Sequence, residues 1–103
     1  MFRNKRIAVL DLTHGGSVIA RKLKKTGAYV TGIDVYKTLV LEEREALEHE
    51  GIRTSSTPLQ ASGFDVLIAP VHLDPHYPML SDAMKEKVPV ISHHAAVGEL
   101  MKG

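Results

Sequence analysis

His14, His72, His76, His93 and His94 each fall in or just after a turn that follows a short apolar run. Imidazoles placed this way can hold anions, relay protons or ligate metals. Asp11 stands three residues before His14 and Asp74 two before His76, so each carboxylate is placed to orient an imidazole. Three uses of the group compete. Loop histidines often bond backbone groups. Neutral or protonated imidazoles can also hold a polar or anionic ligand. Direct metal ligation is the third use, but Pro75 between His72 and His76 opposes a helical i, i+4 pair, and no metal is assigned. His93 and His94 are neighbours and would point apart if extended. His49 lies on a helix flank and reads as solvated. Ser17 and Ser92 read as a helix-start and a strand-end residue, and the chain has no cysteine. No catalytic nucleophile or other catalytic residue is therefore assigned.

The first of these turns is the organising one. A dinucleotide fingerprint requires G-x-G-x-x-G and an acid about 20 residues further on. The equivalent positions here are Asp11, Thr13 and Gly16. Gly16 can serve close helix–strand packing. Thr13 carries a side chain where a backbone should approach a pyrophosphate, and Asp11 adds negative charge there. Both changes argue against a dinucleotide bound in the usual way. Asp34 has the spacing of a ribose-binding acid, but it can equally cap the turn Asp34-Val-Tyr-Lys-Thr38. The segment Gly27-Ala-Tyr-Val-Thr-Gly32 has phosphate-loop glycine spacing but lacks the Lys and Ser/Thr that must follow.

Strands and helices must alternate to place these residues. Lys5–Leu10, with Ile7 to Leu10 continuously apolar, reads as a strand covered on both faces. The spacing then predicts a helix over 17–26, strand 28–33, helix 39–50, short edge strand 52–54 and strand 64–69. A loop over 70–78 with three prolines, a helix over 79–86, strand 88–91 and a last helix over 94–101 follow. One helical turn is expected after Pro58. The pattern implies an α/β, three-layer Rossmann-like domain with a five-stranded parallel sheet in the order 3-2-1-4-5 and helices on both faces. At 103 residues this is one domain. A net charge of +1 gives no field to recruit nucleic acid or an anionic membrane, and no apolar run is long enough to span one. A cytoplasmic location is expected.

Several segments occur in an order and spacing of their own. They are Asp11-Leu12-Thr13-His14-Gly15-Gly16 with Ala20-Arg21 in register, and Asp34-Val35-Tyr36-Lys37-Thr38. Ala69-Pro70-Val71 follows, with His76-Tyr77-Pro78 after it. The last is Val88-Pro89-Val90-Ile91-Ser92 followed by 95–100. Together they resemble the N-terminal domain of the Mur ligase family, over nearly the whole chain. The family's turn reads G-L-G-x-[ST]-G-x-x-x-A-R, its second strand ends in D-x-R-x-T, its fourth in S-P-G, and I-P-V-I-S…E-L closes the domain.

The resemblance implies that residues 1–103 are the first domain of a longer, ATP-dependent ligase. This domain would bind the carrier part of the substrate, usually a uridine diphosphate sugar. Later domains would use ATP and Mg to activate a carboxylate as an acyl phosphate, and no cofactor is expected in this domain. Asp11, Thr13 and His14 in the first turn, and Val71 and His72 after the proline, depart from a plain uridine diphosphate site. The D-L-T-H-G-G turn is similar to that of a methanogen branch, whose substrate is a nickel tetrapyrrole bearing many carboxylates. Imidazolium groups would pair with those carboxylates. The expected substrate-binding residues are Asp11, Thr13, His14, Gly15, Gly16, Asp34, Tyr36, Thr38, Pro70, His72 and His76. Two other classes stay open: a free-standing nucleotide- or dinucleotide-binding Rossmann module, and a non-catalytic dimerising domain.

Overall fold

A computed structural model describes residues 2–102. Five strands form one sheet: β1 (Arg6–Leu10), β2 (Tyr29–Ile33), β3 (Arg53–Ser55), β4 (Val66–Ala69) and β5 (Val90–Ser92). All neighbours are parallel and the order is β3-β2-β1-β4-β5. Four helices accompany them: α1 (Gly16–Lys25), α2 (Leu41–His49), α3 (Pro78–Glu86) and α4 (His93–Met101). The expected architecture and strand order are those observed.

The sheet is covered on both faces, which explains the unbroken apolar run of β1. Successive side chains point to opposite faces. Ile7 and Val9 enter a core with Ile19 and Leu23 of α1, Leu47 of α2 and Ala96 of α4. Ala8 and Leu10 enter a second core with Leu67, Met79 and Ala83, on the α3 side.

Helix boundaries follow local chemistry. Lys22, Lys24 and Lys25 occupy the last turn of α1, where cations suit the helix dipole. Pro78 opens α3, where its missing N–H costs nothing. Ser92 caps α4, its hydroxyl accepting the Ala95 N–H at 3.0 Å. The second helix was expected from residue 39 but starts at Leu41. Val40 is extended, and the Leu39 N–H is taken by the Asp34 carboxylate. The fifth strand starts two residues later than expected, because the Val88 N–H bonds back to Ala83 and Pro89 has none. The turn expected after Pro58 is a 3-10 turn, Ala61–Gly63.

The strand order has one consequence for function. β1 sits between β2 and β4, so the turns after these three strands share one edge of the sheet. Leu10 is level with Ile33, and Ala69 with Ser92. Among the described residues, no helix is long and apolar enough to cross a membrane.

Candidate functional site

The turn from β1 to α1 contains two left-handed residues, Asp11 (φ 69°) and Gly15 (φ 91°). Aspartate is one of the few side chains that tolerate this backbone. Asp11 thus keeps the tight bend that glycine makes in a dinucleotide fingerprint, and adds a carboxylate. Gly16 lies so close beneath it that a Cβ would collide with the Asp11 carbonyl oxygen. That is the close-packing role expected of Gly16.

Leu10 and Leu12, both buried, flank Asp11, which is itself 0% exposed. Its carboxylate faces the rim. Oδ1 accepts the Thr13 N–H at 3.1 Å. Oδ2 lies 2.7 Å from His14 Nδ1 and 3.8 Å from His72 Nε2. The side chains of both histidines are more than half exposed, at 57% and 55%. Tyr36 completes the cluster. Its ring stacks on His72 (centroids 6.4 Å apart, planes 16°) and meets His14 edge-on at 5.9 Å. The two imidazoles are themselves edge-to-face at 5.6 Å. The hydroxyls of Thr13 and Thr38 lie 2.7 Å apart and tie the first turn to the second.

A groove of about 490 Å3 opens beside this cluster, walled by His14, Val18, Pro70, His72, His93 and His94, among others. His93 Nε2 is 3.0 Å from the Leu10 carbonyl oxygen, so that nitrogen carries the proton and donates. Burial pushes the His93 imidazole below its ordinary pKa, while the Leu10 carbonyl and Asp11 act in the opposite sense. A larger cavity, about 750 Å3, lies toward β3 and the amino ends of β1 and β2, with Arg6, Tyr29, Arg53 and Phe64 in its wall. Arg6 there is already paired with Asp65 at 3.2 Å. We place the site in the smaller groove, because ligands of open α/β sheets sit at the carboxyl ends of the strands, at the switch point.

The structure therefore gathers Asp11, Thr13, His14, Gly15, Tyr36, Thr38, Pro70 and His72. Asp34 is spent otherwise. It is 2% exposed, and its oxygens accept the N–H groups of Thr38 and Leu39 and lie 3.5 Å from Arg44. Of the two uses left open for it, capping is the one its contacts realise. His76 bonds Asp74 as expected (3.2 Å), but its side chain is 93% exposed and it is not part of the groove wall. Four histidines rather than five border the groove. His93 and His94 were left off the expected site, together with Val18 and Val97. The signal for His93 was its place after β5, the strand beside β4.

The chain is 56% identical over 105 aligned residues to "Coenzyme F(430) synthetase" of Methanosarcina acetivorans, with 99% of this chain and 22% of that protein covered. It is 31% identical to "UDP-N-acetylmuramoylalanine--D-glutamate ligase" of Listeria monocytogenes, covering 89% of this chain and 21% of that one. Among solved structures, UDP-N-acetylmuramate-alanine ligase of Thermotoga maritima superposes with a TM-score of 0.78 at 20% identity, covering 95% of this chain and 23% of that one. That likeness concerns the fold. The chain spans about a fifth of the length of the curated relatives it matches. No protein-family model matches it.

Proposed function

This chain is homologous to the N-terminal domains of the Mur ligases, and from that kinship we propose that it is the substrate-binding domain of an ATP-dependent ligase. Its substrate is a tetrapyrrole bearing several carboxylates, of the kind handled by the methanogen relative. The observation that carries this reading is the convergence of Asp11, His14, Tyr36 and His72 beside a groove at the switch point.

The chemistry supports a planar polycarboxylate over a uridine diphosphate. The near-parallel rings of Tyr36 and His72 offer flat faces. Half-exposed imidazoles can donate to carboxylates, and protonation makes those bonds charge-assisted. The Thr13 side chain fills part of the approach that a pyrophosphate needs to the first turn.

The domain positions substrate and performs no phosphoryl chemistry. Its glycine-spaced segment, residues 27–32, runs from the turn after α1 into β2, and Gly32 is packed so closely on Leu12 that no phosphate cradle exists there. ATP and Mg belong to segments outside this chain, where a carboxylate is activated as an acyl phosphate. Holding the macrocycle still would present one carboxylate for that step.

Calorimetric titration of the 103-residue chain with coenzyme F(430), UDP-N-acetylmuramate and NADH tests the reading. Binding of the tetrapyrrole alone, weakened more than about tenfold by His14→Ala or His72→Ala, is expected; tenfold corresponds to about 1.4 kcal/mol. Tighter binding of either nucleotide, or no tetrapyrrole binding, overturns it.

A further inference from the structure

We propose that Asp11, His14 and His72 form a binding site for a late first-row divalent cation of the zinc, cobalt or nickel type. The inference stands on the geometry of these three side chains and does not depend on the tetrapyrrole reading. Each offers one ligand atom, and the three atoms lie within 4.8 Å of one another. They are the one such group of three among the described residues.

The donor set is two imidazole nitrogens and one carboxylate oxygen. Borderline cations prefer this mixture, and hard cations such as Mg take all-oxygen sets instead. In a tetrahedral zinc site, bonds of about 2.0–2.1 Å put neighbouring ligand atoms roughly 3.3 Å apart. The two separations from Asp11 Oδ2 are 2.7 Å to His14 and 3.8 Å to His72, one below that value and one above. Small rotations of two exposed imidazoles equalise them. The carboxylate itself needs no movement. It is held by the Thr13 N–H and walled in by Leu10 and Leu12. Three protein ligands leave a fourth position, on the exposed side of the cluster, for water or a ligand oxygen.

A hydrogen bond accounts for only part of the arrangement. His14 Nδ1 is within bonding distance of Oδ2, but His72 Nε2 at 3.8 Å is not. His72 is nonetheless stacked on Tyr36 with that nitrogen toward the same oxygen. In the sequence, Pro75 already opposes a pairing of His72 with His76. The fold instead sets His72 beside the Asp11-x-x-His14 turn.

The test uses the tag-free 103-residue chain, stripped with chelator and titrated with Zn2+ by calorimetry and with Co2+ by visible absorption. One equivalent of each metal should bind, with the intense visible bands of low-coordinate Co2+. His14→Ala and His72→Ala should each weaken Zn2+ more than about tenfold, since loss of an outer-shell partner alone reaches that range. His49→Ala and His76→Ala should leave it unchanged. Asp11→Gly should abolish the site while suiting the left-handed backbone, and circular dichroism would verify that each variant is folded. Failure of the wild-type chain to bind one equivalent overturns the proposal. So does binding that survives both histidine variants or that follows His93→Ala and His94→Ala instead. Tetrapyrrole binding without metal binding would sink this site and leave the substrate reading standing.

Discussion

The turns after β1 and β2 each bury one aspartate, and the two carboxylates are used in opposite ways. Asp34 gives its oxygens to the N–H groups of Thr38 and Leu39 and to Arg44. Asp11 gives one oxygen to a backbone N–H and turns the other toward two half-exposed imidazoles. Their exposures are almost the same, 0% and 2%. Burial therefore does not distinguish the two carboxylates. The distinction lies in what their acceptor sites face. Main-chain donors lock a loop in place, whereas side chains with free rotation leave an oxygen that a ligand can recruit.

Four substitutions probe that contrast. The largest effect is expected from Gly16→Ala, which forces a Cβ onto the Asp11 carbonyl and must open the first turn. We expect a loss of about 3 kcal/mol or more in urea unfolding, and a loss under about 1 kcal/mol would mean the turn has slack. Next comes the pair itself. Asp34→Ala strips acceptors from two amides and should cost about 2 kcal/mol. Asp11→Gly should cost less than about 1 kcal/mol, because glycine relieves the left-handed backbone as the carboxylate's bonds are lost. Equal losses for the two would erase the contrast. The smallest effect belongs to a control at the opposite end of the sheet. Hydrogen bonds from the Arg6 guanidinium and N–H hold the Asp65 carboxyl below the usual range. A depressed folded-state pKa stabilises above the unfolded value of about 3.9 and is lost as pH falls through the folded one. Asp65→Asn should therefore flatten the acid limb of stability below about pH 4 and leave the rim's ligand binding unchanged.

Much of the fold was legible because the signals are local. The continuous run Ile7–Leu10 announces a strand covered on both faces, and the alternation of strand and helix leaves few topologies. The first turn was legible too: Asp11 and His14, three residues apart, are bonded, and Gly16 packs as its spacing suggested. Element ends were read less well where a bond to a residue outside the element decides them. The Asp34 bond that delays α2 is one such contact.

The site divides along the same line. Which side chains could do chemistry, and that they follow strand ends, is written in residue type and spacing. Those properties need only the chain's own periodicity. Which of them meet was decided by the sheet. By setting β4 next to β1, it brought His72 to Asp11 across 61 positions of sequence, and by setting β5 next to β4 it brought His93 to the Leu10 carbonyl. His76, only four residues from His72, was carried away from the groove. Contacts between strand ends depend on lateral strand order and register, and neither is a property of any one segment.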